Sequence, residues 1–252
     1  MDYNWHWKVL LETEPGGTGS YLHYLLAGLG WTLATALVAW VIALTIGAVI
    51  GTLRTTQMRW VVRLGNLYVE IFRNIPLIVQ MFLWFFVVPE LLPTALGDRI
   101  KQMAPPWGMY WPAVLCLGVF TSVRVAEQVR AGINSLARGQ SLAGTAMGLT
   151  GAQTYRYVIL PQAFRIILPP LTSEFMNVIK NSSVALTIGL LELTGRARAM
   201  QEFSFRVFEA FTAATVIYLL TNLIVVLAMR ALEKKVRVPG LIAASGAVQA
   251  GH

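Results

Sequence analysis

Charge is scarce in this sequence. Lysine, arginine, aspartate and glutamate make up 13% of the residues, whereas 56% are hydrophobic. A soluble domain carries about a quarter charged residues, so the expected class is a polytopic membrane protein. Between Pro15 and Leu53 there is no charged side chain. Cysteine is nearly missing as well. The lone Cys116 excludes an intrachain disulfide and a cysteine metal cluster, and it reads as a small packing residue. His6 and His23 are isolated and read as surface or interface histidines. Enzyme signatures are missing too: no glycine-rich phosphate loop ending in Lys-Ser/Thr, no HExxH and no GxSxG. No site that binds and hydrolyses ATP is expected, and energy for active transport would have to come from an ion gradient or a separate ATPase. The first residues carry Asp2, Glu12 and Glu14 where a leader needs positive charge, so no cleaved signal peptide is expected. Trp5 and Trp7 read instead as an interfacial anchor.

Long apolar segments fill the rest. The sequence predicts five spans at 24–53, 64–88, 110–131, 162–191 and 210–229, each of the roughly 20 residues or more that a bilayer requires. Pro76 breaks the second, and Pro169 with Pro170 interrupts the fourth. Gly28, Gly30, Gly47 and Gly51 suit close packing of the first. A polar, proline-rich connection covers 89–108, with one short helix expected near 96–103. A mixed-charge amphipathic connection covers 192–209. The formal net charge of +8 is scattered over short loops, which is the pattern that orients membrane proteins and is no nucleic-acid footprint. One set of loops holds Arg54, Arg59, Arg63, Arg130, Arg138, Arg156, Arg165, Arg230, Lys234, Lys235 and Arg237. The other set mixes its bases with Asp2, Glu12, Glu14, Glu90, Asp98 and Glu202. The positive-inside rule then puts the N-terminus outside and the C-terminus in the cytoplasm. Three regions result: an external segment at 1–23, a membrane domain at 24–230, and a cytoplasmic tail at 231–252 whose Gly/Ala-rich end is expected to be disordered.

The stretch 139–161, GQSLAGTAMGLTGAQTYRYVILP, stands out because it cannot sit in lipid. Arg138, Gln140, Gln153 and Arg156 are too costly there without partners. Small residues cluster at Ala143, Gly144, Thr145 and Ala146, and Gly148 closes the run. A helical pattern follows, which Pro161 is expected to end. A short helix with small side chains suits close docking, and the expected partner is a soluble subunit on the cytoplasmic side.

Ionisable residues inside apolar segments are the first candidates for function. Glu70 and Arg73 are spaced to pair on one helical face, and Arg124, Glu127 and Arg130 repeat that spacing. Glu174, Asn177 and Asn181 share a face, with Lys180 one step round and Ser182 beyond. Two readings stay open. The groups line a hydrophilic pathway, in which Lys180 or Arg73 meets an anionic solute; or the charges neutralise one another and fix helix register near the headgroups.

These residues also carry a resemblance. The stretch 139–161 resembles the cytoplasmic EAA loop of bacterial ABC importer permeases: Glu-Ala-Ala, three residues, a glycine, nine residues, then Ile-x-Leu-Pro. Ala143 matches the first alanine, Gly148 the glycine, and Val158, Ile159, Leu160 and Pro161 the close. Leu142 stands where the glutamate is expected, and Gly144 stands for the second alanine. YVEIFRNIPLIVQMF at 68–82, RVAEQVRAGINSLARGQ at 124–140, VILPQAFRIILPPLTSEF at 158–175 and NVIKNSSVALTIGL at 177–190 look like polar amino acid permeases of the histidine/glutamine/glutamate family. The likeness is greatest to the glutamate/aspartate branch. The resemblance implies an all-α integral membrane protein with the type I ABC importer permease fold in a bacterial inner membrane. It implies a sister permease subunit, an ABC ATPase dimer that binds ATP and Mg2+, and a periplasmic amino-acid-binding protein; this chain would bind no cofactor itself. The coupling loop would comprise Ser141, Leu142, Ala143, Gly144, Thr145, Ala146, Met147 and Gly148. Arg73, Asn74, Asn177, Lys180, Asn181 and Ser182 would be candidates for the substrate pathway. The alternatives are an importer of another polar amino acid, or an ion-coupled secondary carrier acting alone, which broken apolar segments would also suit.

Overall fold

The computed structural model describes residues 3–17 and 19–236. The expected disordered tail end, Arg237 and Asp2 lie outside them. Apart from one isolated bridge between Thr13 and Ser20, the described residues hold helices and turns only. The helices are α1 (Tyr21–Leu53), α2 (Arg59–Asn74), α3 (Leu77–Phe82), α4 (Val88–Leu91), α5 (Thr94–Lys101), α6 (Trp107–Asn134), α7 (Arg138–Ala146), α8 (Gly151–Thr154), α9 (Leu160–Asn181), α10 (Leu193–Ser204) and α11 (Val207–Val236). A 3₁₀ turn precedes α1 at Trp7–Leu11, and another follows α9 at Ser182–Ile188.

Five spans were expected from the apolar segments, and the helices meet that count only in part. Among the described residues α1, α6 and α11 are each long and apolar enough to cross a membrane. A fourth arises when α2 and the segment Leu77–Leu91 count as one span; the chain turns by 100° between them, at the break that Pro76 imposes. Pro76 has no N–H to continue the helix and disfavours helical backbone at Ile75. Helix α9 has the length, but Arg165, Glu174, Lys180, Asn177 and Asn181 keep it out of the apolar class.

Two further expectations are corrected by α9. Pro161 does not end a helix. The backbone runs from α8 through a π turn at Tyr155–Ile159 straight into α9, so Pro161 lies within a continuous helical path, immediately after the π adjustment that accommodates its missing N–H. Pro169 and Pro170 do not interrupt α9 either. They deprive the carbonyls of Arg165 and Ile166 of their i→i−4 donors, yet the helix is carried on by its packed neighbours. Thr172, buried one turn on, donates to the Leu168 carbonyl at 3.2 Å.

The chain divides into two compact units. The first comprises Met1–Ile42, Ile75–Phe120 and Phe175–Ile224. Its core joins Val9, Tyr21, Leu25, Leu193, Ala197 and Met200 to the alanines at the start of α11. Gly28 gives close approach there, since a Cβ on it would meet the Leu193 Cα at 3.0 Å; Gly30 faces open space and needs no such account. Cys116 is fully buried, as a packing residue should be. The second unit comprises Ala43–Asn74, Thr121–Glu174 and Val225–His252. Gly47 and Gly51 bring the end of α1 onto Val125 and Val129 of α6, within 2.7 Å of where a Cβ would stand. Val69 of α2 packs with Val123 and Ala126 of α6.

The most apolar window of α6 is 72% buried, against 28% for α1 and 17% for α11. Helix α6 is therefore an interior element, whereas α1 and α11 turn most of their apolar surface outward. Such surface requires lipid or another subunit.

Candidate functional site

In the second unit the stretch 139–161 folds as a tight pair of helices. α7 covers most of the small-residue run, and its end is a Schellman motif. The N–H of Leu149 donates to the Gly144 carbonyl at 3.1 Å, and that of Gly148 to Thr145 at 2.9 Å. Gly148 holds φ at +80°, a left-handed conformation that a Cβ disfavours, and nothing lies within 4 Å of where one would stand. The glycine is there for its backbone. Thr150 then opens α8 with a capping box: its N–H donates to the Gln153 side chain at 2.8 Å, and its hydroxyl accepts from the Gln153 N–H at 3.3 Å. Gly144 lets α7 lie on Thr154, whose methyl would be 2.7 Å from an added Cβ.

Ser141, Leu142, Ala143, Thr145, Ala146, Met147 and Gly148 are all exposed, while Gly144 alone is buried. Leu142 is 70% and Met147 80% accessible, values a water-facing helix reserves for polar residues unless it docks against something. An exposed, rigidly capped helix with two apolar knobs is the expected form of a docking element.

Of the polar residues of the fourth apolar segment, Glu174 lies on α9 in the second unit, while Asn177, Lys180, Asn181 and Ser182 lie on α9 and the turn that follows, in the first. Asn177 and Asn181 are half-buried and Lys180 is exposed, with no ion pair among the described residues. Ser182 differs: it is fully buried and its hydroxyl donates to the Ile179 carbonyl at 2.8 Å, so it serves its own turn. Helix α3 packs against the turn at Ser182–Ile188. Arg73 and Asn74 belong to the second unit. Both are exposed, and the Asn74 amide donates back to the Glu70 carbonyl at 2.7 Å. A cavity of about 400 Å³ in the first unit, lined by Phe85, Glu90, Lys101 and Met103 among others, contains none of these candidates. Its lysine is neutralised by Glu90 at 3.1 Å and Asp98 at 3.2 Å, and that pairing, Glu90 first, raises the Lys101 pKa.

The i, i+3 charge pairs anticipated within single helices do not form. Glu70 and Arg73 make no ion pair. Glu127 turns to Arg54, 3.0 Å away, and Arg124 lies 3.8 Å from Glu174. For Arg54 the partner across helices wins because it meets a buried guanidinium with a hydrogen bond, which an exposed intrahelical pair of Glu127 would not. Arg54 had the look of an ordinary loop base. It is instead buried, with a further hydrogen bond from its Nε to Asn66 at 2.8 Å. Glu192 was also illegible. It is fully buried at the start of α10, where its carboxylate accepts from the N–H groups of Thr194 and Gly195 and from the hydroxyls of Tyr218 and Thr32. Burial raises its pKa, and those four donors oppose the rise. No local signal marked it, since glutamate is not a favoured N-cap residue and Leu193–Ser204 is of mixed polarity.

The helical architecture, the exposed hairpin at 139–161 and the bent apolar segments with their polar residues fit a class: a membrane permease. Residues 43–238 match the family described as "Binding-protein-dependent transport system inner membrane component", and the chain belongs to that family. It is 47% identical over 241 residues to the glutamate/aspartate import permease protein GltJ of Escherichia coli (strain K12), covering 95% of this chain and 98% of that one. It is 35% identical over 198 residues to the probable amino-acid ABC transporter permease protein PatM of Vibrio harveyi, covering 78% and 84%. Among solved structures, the crystal structure of an amino acid ABC transporter with histidines superposes with a TM-score of 0.72 at 30% identity, over 85% of this chain and 95% of that one. The fold is that of a type I ABC permease.

Proposed function

We propose that this chain is the permease subunit of an ATP-driven importer that carries glutamate and aspartate across a bacterial inner membrane. The observation that carries the reading is identity of 47% along 95% of the chain to a relative named for glutamate/aspartate import. Five spans make up the membrane domain at 24–230, with α9 and its following turn as the fourth; the segment at 1–23 is periplasmic and the tail at 231–252 cytoplasmic. The family's dependence on a binding protein supports a periplasmic amino-acid-binding partner. A sister permease completes the pathway, and α1 and α11 offer the apolar surface for it and for lipid. ATP and Mg2+ belong to an ATPase dimer docked on α7, where residues 141–148 act as the coupling loop. ATP-driven closure of that dimer displaces α7, and with it the spans it is joined to.

Asn177, Lys180 and Asn181, with Arg73 and Asn74, line the pathway in this reading. The exposed ammonium of Lys180 is a charge that an apolar segment retains only for a partner or a polar channel. Ser182 contributes its backbone position and leaves its hydroxyl engaged. The test is uptake of radiolabelled glutamate and aspartate by proteoliposomes holding the full complex, with and without the binding protein and internal ATP. Uptake that needs both, and that unlabelled glutamate and aspartate inhibit more than glutamine or histidine, is expected. Uptake by this chain alone, driven by an ion gradient, would replace the importer with a secondary carrier.

A further inference from the structure

Resting on that reading, we infer that Tyr155 is a positioning residue that passes displacement of the docking helix to α1, α2 and α6, through the turn at Arg54 and Thr55. Tyr155 sits in the π turn between α8 and α9 and is half-buried. Its hydroxyl donates to the Thr55 carbonyl at 3.0 Å, and the Thr55 hydroxyl lies 3.3 Å away. This contact joins residues 100 apart in sequence, at the turn between α1 and α2.

On one side of the contact, Tyr155 moves with α7. α7 packs on α8 and on the π turn, Gly144 seats it against Thr154, and the Schellman and capping-box bonds leave the connection little freedom. On the other side, the turn is fastened to three helices. Arg54 adjoins Thr55 and ends at Asn66 on α2 and Glu127 on α6. Its stem passes Gly65 so closely that a Cβ there would stand 2.6 Å from the Arg54 Cγ. The Tyr68 and Ser122 hydroxyls, 2.8 Å apart, tie α2 to α6 again. Contiguous, stiff contacts of this kind are what carry energetic coupling between packed elements. The π turn adds a reason for Tyr155 in particular. A π turn inserts one residue into the helical count, which rotates the side chains before it relative to those of α9. That rotation aims the phenol at the α1–α2 turn.

The experiment uses Tyr155→Phe, which removes the hydroxyl and keeps the ring. The complex of both permeases, the ATPase and the binding protein is reconstituted, and uptake and binding-protein-stimulated ATP hydrolysis are measured on the same vesicles. Substrate moved per ATP is expected to fall about fivefold, the equilibrium worth of one neutral hydrogen bond, with stimulated hydrolysis within twofold of wild type. A purely structural residue would lower assembly, or both activities in proportion, and either outcome overturns the inference. A Tyr155→Phe complex with wild-type substrate per ATP also overturns it. Failure of the wild-type chain to co-purify with an ATPase, or to support ATP-dependent uptake, would instead sink the importer reading beneath it.

Discussion

Removing the Glu127 carboxylate should harm the protein more than removing the Arg54 guanidinium, although the two are partners. The Arg54 side chain is 4% accessible and that of Glu127 35%. Glu127→Leu leaves a buried guanidinium with Asn66 as its remaining side-chain partner, and Nη1 already lacks one. Stripping one partner from a fully buried pair costs about 3–5 kcal/mol. Partial exposure of Glu127 screens this pair, so about 2 kcal/mol is expected. Arg54→Met removes the buried charge itself. It leaves a carboxylate that water can reach and loses the Asn66 bond, for about 1 kcal/mol. The double variant holds no buried charge and should also stand about 1 kcal/mol below wild type, a coupling of about 2 kcal/mol. The assay is the midpoint of heat-induced loss of the monodisperse complex in detergent, followed by size exclusion. Glu127→Leu should fall by about 4–8 °C, on the scale of about 2–4 °C per kcal/mol for a chain of this size. If Arg54→Met falls as far, or if the double variant falls by the sum of the singles, the buried-charge argument is wrong.

Gly148→Val should halve uptake or worse while the protein still inserts, because a β-branched residue at φ +80° strains the turn after α7; Gly148→Asn should be near wild type, and matched uptake and ATPase assays check both. Lys180→Ala is expected to lower uptake several-fold with assembly intact by co-purification, and normal uptake would assign the exposed ammonium no part in the pathway. Glu192→Leu leaves the Thr194 and Gly195 N–H groups and the Tyr218 hydroxyl without their acceptor, for a loss of about 2 kcal/mol, whereas Glu192→Gln should lose about half that. Thermal midpoints of the two variants decide it, and equal midpoints would refute the capping account.

What the sequence alone determined follows from the scarcity of charge and the spacing of a few local signals. Long apolar runs have one stable form in lipid, so α1 and α6 were readable to within three residues and the start of α11 likewise, while α11 continues to Val236, past the expected 229. The short helix near 96–103 and the break at Pro76 were readable for the same local reason. The stretch 139–161 was legible as a small-residue run closed by a glycine, and its turn depends on that glycine's backbone. Proline misled at positions 161, 169 and 170, because a π adjustment of the backbone and neighbouring helices can absorb its cost, and its residue type does not announce either.

Tertiary structure decided the charges. Spacing within a helix suggested Glu70–Arg73 and Arg124–Glu127, but a buried group needs a partner more than an exposed pair needs its geometry. Arg54 therefore took Glu127 from across the fold. The Thr32 and Tyr218 hydroxyl bonds to Glu192 and the Tyr155 contact to Thr55 likewise join residues far apart in sequence. Which helices exist is a matter of solvation, written residue by residue. Which polar atoms are paired is a matter of burial, and burial exists only once the chain has folded.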